Sequence, residues 1–134
     1  MPVVAHIYPR NYSAEVPVIR FTPEEIAWAV RCGVETGVDV IKVGYPGDPV
    51  AFTEIVASAP VPVVVAGGPQ TKTIREGLMF TVEAMRAGAV GAVVGRNIWG
   101  ADDIESVAAS YRAVIHDSAT AGQALASVPQ GGGI

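Results

Sequence analysis

Cysteine occurs once in this chain of 134 residues, at Cys32, and lysine only twice, at Lys42 and Lys72. A single cysteine can neither close an internal disulfide nor build a thiolate metal cluster, which fits a reducing compartment. Its expected place is that of a small buried apolar side chain. No block of basic residues is present, and the net charge of −4 removes the overall electrostatic drive toward nucleic acid or an anionic membrane surface. No apolar run approaches the roughly 18 to 20 residues that span a bilayer, and the opening Met-Pro-Val-Val lacks the basic flank of a signal peptide. These absences lead to the expectation of a cytoplasmic protein that engages neither nucleic acid nor membrane. With so few lysines, one that stands inside an apolar run requires an explanation.

What the sequence does have is an alternation of β-branched runs and helical patterns, in a composition that is 50% hydrophobic. That alternation is the mark of repeated βα units and a parallel sheet. The runs are 2–8 (PVVAHIY), 38–45 (VDVIKVGY), 61–66 (VPVVVA) and 89–94 (AVGAVV). A polar loop follows the first run. A helix is then predicted to open with Thr22 as N-cap, Pro23 at the first helical position and Glu25 completing a capping box. Its apolar face holds Ile26, Ala27, Val30 and Val34, and it ends near Gly37. A short helix follows Pro49, with Phe52, Ile55 and Val56 at core spacing, and is stopped by Pro60 and Pro62. Two more helices are predicted over 74–87 and 102–116, the latter with Asp102 and Asp103 in its first turn, where the macrodipole favours negative charge. Residues 127–134 (SVPQGGGI) are predicted to be a flexible tail.

Four βα units, spanning 1–126, are half of a (β/α)8 barrel, which commonly runs to about 250 residues. A small doubly wound sheet is the alternative. Either arrangement leaves two open sheet edges and one apolar sheet face. Apolar area buries at about 25 cal/mol per Å2, so a patch of several hundred Å2 contributes on the order of 10 kcal/mol before association entropy is subtracted. A homo-oligomer or a complementary half-barrel chain is therefore expected as a partner.

Lys42 stands between Ile41 and Val43, on a strand face shared with Val38, Val40 and Gly44. Desolvation there disfavours the ammonium and makes a neutral, nucleophilic amine accessible, as imine formation with a ketone requires. The competing reading is a lysine that snorkels to solvent or pairs with Asp39 or Asp48. Gly67 and Gly68 follow the next strand, and Gly95 and Arg96 the one after it. Such loops let backbone N–H groups approach a phosphate while a guanidinium adds charge, although glycines after strands also serve turns alone. Tyr8 ends the first strand, where a phenol pointing into the same mouth is placed to move a proton; a tyrosine at the rim of a core is the alternative. His6 shares that face. Asp48 and Trp99 lie in loops after strands as candidate pocket residues, and Trp28 and Tyr111 lie on helices as packing residues.

The segments YPR (8–10), DVIKVGYPGDP (39–49), PVPVVVAGGPQTKT (60–73) and AGAVGAVVGRNIW (87–99) together resemble the archaeal-type class I fructose-bisphosphate aldolases of the DeoC/LacD-like Schiff-base group. That group also contains the 2-amino-3,7-dideoxyheptulosonate synthases and the autoinducer-processing thiolase-like members. The resemblance implies the C-terminal half of a (β/α)8 barrel, strands five to eight. It implies that Lys42 forms the Schiff base and that Tyr8 is the proton donor or acceptor. It further implies that Gly67, Gly68, Gly95 and Arg96 hold the substrate phosphate, with Arg10 a weaker substrate-binding candidate.

The ligand so implied is a phosphorylated sugar such as fructose 1,6-bisphosphate, or dihydroxyacetone phosphate, in the setting of glycolysis or gluconeogenesis. Neither a metal nor an organic cofactor is expected. The chain departs from the family pattern at Asn11, where glycine is usual, and at His6, where the aldolases tend to carry tryptophan. The family's strand-one aspartate has no counterpart in it. Synthase-type chemistry and a non-catalytic phosphate-binding half-barrel that needs a partner half therefore stand beside the aldolase reading.

Overall fold

The computed structural model describes residues 1–13 and 15–126; the expected tail at 127–134 lies outside them. Four strands, β1 (Val4–His6), β4 (Val40–Val43), β5 (Val63–Ala66) and β6 (Gly91–Val93), form one sheet in that spatial order, every neighbouring pair parallel. The order follows the chain without reversal. A doubly wound sheet needs a reversal to place helices on both faces, so this topology is that of a barrel segment.

The helices α1 (Pro23–Glu35), α2 (Pro49–Ala57) and α3 (Ile74–Arg86) connect the four strands. They cover one sheet face, where Ile41, Val43, Val63 and Val65 join Ile26, Val30, Phe52 and Ile55 in a single core. Burying each such side chain contributes about 1.5 to 3 kcal/mol. A second core lies between α3, α5 (Ile104–His116) and α6 (Ala121–Leu125), built on Leu78, Val107, Tyr111 and Val114. Among the described residues no helix is long and apolar enough to cross a membrane.

The helix starts follow local chemistry. The Thr22 hydroxyl accepts from the Glu25 N–H and Pro23 occupies the first turn. The expected reciprocal capping box is not made. The Glu25 carboxylate instead accepts the Thr22 hydroxyl at 3.0 Å and lies 3.6 Å from Arg20. Helix α1 stops at Glu35, and Gly37 beyond it takes a left-handed φ of 72°, a conformation that costs glycine little. Asp103 caps α5 by accepting from Ser106, so both aspartates precede the helix rather than sitting in its first turn.

Several side chains depart from expectation. On α1 the buried face is Ile26, Ala29, Val30 and Gly33, with Ala27 outside it. Cys32 and Trp28 are exposed on the same helix, Trp28 at 71%, because both lie off the stripe that meets the sheet. Tyr111 is a packing residue, as expected. The loop after β1 is not wholly irregular: β2 (Arg10–Asn11) and β3 (Val18–Ile19) pair antiparallel as a short ribbon.

Candidate active site

The uncovered sheet face carries the candidate site. Side chains alternate along a strand, so if Ile41 and Val43 face the helices, Val40 and Lys42 face the other way. Register places His6 beside Lys42, Lys42 beside Val64 and Val64 beside Gly91, a row across the sheet. Above it, at the C-terminal ends of the strands, is a cavity of about 200 Å3. Lys42, Tyr8, Gly67, Gly68, Gly95 and Arg96 all line it, together with His6 and Trp99. Arg10 is not brought to it; that side chain is exposed on the β2–β3 ribbon.

Lys42 is half-buried, and desolvation lowers its pKa from the ordinary lysine value. It is in no ion pair among the described residues. The carboxylates proposed as alternative partners are engaged elsewhere. Asp39 accepts from the Val3 N–H at 2.6 Å, and Asp48 caps α2 by accepting from Val50 and Ala51 at 3.0 Å. Asp48 is therefore a helix cap and does not line this cavity. The His6 pKa is also lowered, first by desolvation and then by the Lys42 charge. The His6 ring stacks at a tilt on Tyr8, with centroids 4.2 Å apart, and Tyr8 meets Phe21 edge-on at 6.2 Å. Phe21 in turn lies over Gly44, where a Cβ would come within 2.1 Å of the ring. Sequence reading passed over Phe21, whose only signal is an aromatic residue just before a helix cap.

The two glycine loops are joined to each other. Arg96 donates from Nη2 to the Gly68 carbonyl at 3.0 Å. Gly68 has a left-handed φ of 69°, and a Cβ on Gly67 would lie 3.0 Å from the Val94 Cα, so local geometry favours glycine at both positions. Helix α4 (Arg96–Trp99) begins directly after Gly95, and the Trp99 ring folds back over that glycine. Trp99 remains 69% exposed and forms an apolar wall of the cavity. No carboxylate lines this cavity among the described residues. The arrangement offers a partly desolvated amine, a phenol and an imidazole on one side, and glycine backbone with a guanidinium on the other.

A family model described as DeoC/LacD family aldolase matches residues 1–101. The chain belongs to that family. It is 38% identical over 126 residues to the 2-amino-4,5-dihydroxy-6-oxo-7-(phosphonooxy)heptanoate synthase of Streptomyces griseus, a match covering 94% of this chain and 45% of the relative. It is 41% identical over 100 residues to the class 1 fructose-bisphosphate aldolase of Thermoproteus tenax, covering 74% of this chain and 37% of that one. Among solved structures, an archaeal fructose-1,6-bisphosphate aldolase with its catalytic lysine covalently bound to the carbinolamine intermediate superposes with a TM-score of 0.78. That match has 36% identity and covers 86% of this chain and 45% of the other. The chain thus spans about half the length, or less, of the relatives it matches, and its four βα units are a half-barrel.

Proposed function

We propose that this chain is the C-terminal half, strands five to eight, of a class I aldolase barrel, with residues 1–126 as its folded unit and Lys42 as the imine-forming residue. The observation that carries the reading is the meeting, around one cavity, of a partly desolvated lysine, in no ion pair among the described residues, with Tyr8 and the two glycine loops. The ligand would be a phosphorylated ketose, fructose 1,6-bisphosphate first, with Gly67, Gly68, Gly95 and Arg96 holding a phosphate.

In this reading the Lys42 Nζ attacks the ketone carbon, and Tyr8 protonates the departing oxygen, which leaves as water. The resulting protonated imine is the electron sink, which is why the reading calls for no metal or organic cofactor. The Tyr8 phenolate then takes the proton of the hydroxyl two carbons from the imine carbon. The bond between the hydroxyl-bearing carbon and the carbon next to the imine breaks, its electron pair passes into an enamine, and the aldehyde departs. Protonation and hydrolysis of the enamine release the ketone and restore the amine. A cytoplasmic setting and a place in glycolysis or gluconeogenesis belong to the same reading.

A synthase-type reaction on a phosphorylated substrate is the second reading, favoured by the 38% identity to the Streptomyces griseus synthase over 94% of this chain. Both readings call for a second half-barrel, from another copy or a complementary chain, to cover the inner face and to add a carboxylic acid, since none lines this cavity among the described residues. Without it the chain would be the non-catalytic phosphate-binding alternative.

Borohydride reduction in the presence of dihydroxyacetone phosphate tests the core of this proposal. The expected result is the added mass of one reduced ligand, mapped to the peptide containing Lys42. Absence of an adduct, or its location at Lys72, would overturn the assignment.

A further inference from the structure

We infer that Asn97 is a positioning residue that locks the two glycine loops into one unit; its bearing on phosphate rests on the function proposed above. Asn97 is a polar side chain at 2% exposure, on a four-residue helix, and it is fully used. Its Oδ1 accepts from the Thr71 N–H at 2.8 Å, while its Nδ2 donates to the carbonyls of Gly67 at 3.2 Å and Pro69 at 3.3 Å. An amide has one acceptor oxygen and two donor hydrogens, so this side chain matches that loop group for group.

The partners lie 26 to 30 residues away in sequence, so the contact is tertiary and joins the loop after β5 to the loop after β6. Arg96, the preceding residue, makes the parallel bond to the Gly68 carbonyl. Within a trans peptide the C=O and the following N–H point in opposite directions. Holding the Gly67 and Pro69 carbonyls toward Asn97 therefore fixes the Gly68 and Gln70 N–H groups away from it. Loops that hold their donors in place before a ligand arrives have less to order on binding.

The discriminating variant is Asn97→Asp, which keeps size and the acceptor for Thr71 but sets a carboxylate against two carbonyls. The expected result is faster amide hydrogen exchange in the 67–71 segment, with the exchange of β4 unchanged. The dihydroxyacetone phosphate needed for half-maximal borohydride trapping should rise about tenfold or more, while that for unphosphorylated dihydroxyacetone stays constant. Asn97→Ser, with a smaller and uncharged side chain, serves the same comparison if the aspartate prevents folding. Unchanged exchange in the 67–71 segment would overturn the inference, as would equal loss for both ketones with the fold intact. If the unaltered chain traps neither ketone, the aldolase reading fails by itself, and the exchange measurement still decides whether Asn97 holds the loops.

Discussion

On the helix side of the sheet, Ile41, Val43, Val63 and Val65 are at 1% exposure or less, whereas on the opposite side Val4 and Val93 keep 54% and 46% of their surface. The buried set stands on the central strands β4 and β5 and the exposed pair on the outer strands β1 and β6; one residue along on the central strands, Val40, Lys42 and Val64 are half-buried. On the covered side, three connecting helices pack one core against β4 and β5. The uncovered side carries Lys42, His6 and Tyr8, the titratable groups that line the candidate site. Packing and the proposed chemistry are thus separated across one layer of backbone, and under the proposed function the open side is the one a second half would cover.

The separation can be broken most completely at Lys42. Lys42→Met should abolish borohydride trapping while the thermal transition stays in place, because an unbranched apolar side chain suits this half-buried position and Lys42 is in no ion pair among the described residues. A lost transition would make Lys42 a structural residue. Phe52→Ala, on the covered side, should cost about 3 to 5 kcal/mol by chemical denaturation, since Phe52 is fully buried. Val64→Ala, on the open side, should cost the fold much less and show its effect on association. Comparable losses for the two would erase the contrast between the faces.

Arg96→Ala should weaken phosphate-ligand binding about ten- to a hundredfold, through loss of a charge-assisted bond of roughly 1.5 to 3 kcal/mol, as read by calorimetry. Unchanged affinity would remove Arg96 from the site. The smallest effect is expected at Tyr111, whose buried hydroxyl finds no partner among the described residues. Burial raises its pKa from 10.0 to about 12. The unfolded chain therefore ionises first, so this group's contribution is present below pH 10 and is lost as pH rises toward 12. Tyr111→Phe should flatten that part of the alkaline stability profile; an unaltered profile would show that the hydroxyl does not titrate as its burial implies.

The sequence disclosed the βα alternation because four β-branched runs and the longer helices carry their own periodicities. It pointed to most of the residues that line the cavity because a lysine between Ile41 and Val43 and glycines after two strands are local anomalies. Elements without an internal period stayed hidden: the two-residue strands of the β2–β3 ribbon, and α4 with its four residues. Helix α6 was legible, since Thr120 and Gln123 form a reciprocal capping box of the expected spacing, but it was passed over for its length. Asn97 could not be singled out, because its three partners lie in another βα loop and only the fold brings them together. Cys32 and Trp28 were misplaced for a related reason: residue type suggests burial, but position around α1 decides it.

The contrast between the two sheet faces is tested most directly by light scattering coupled to size exclusion, performed on the chain at micromolar concentration with denaturation followed on the same sample. Closure of the inner face by a second half predicts a dimer or larger species that unfolds at a concentration-dependent midpoint. A monodisperse monomer with a single cooperative, concentration-independent transition would show that the open face needs no cover and would contradict the half-barrel account of how this site is completed.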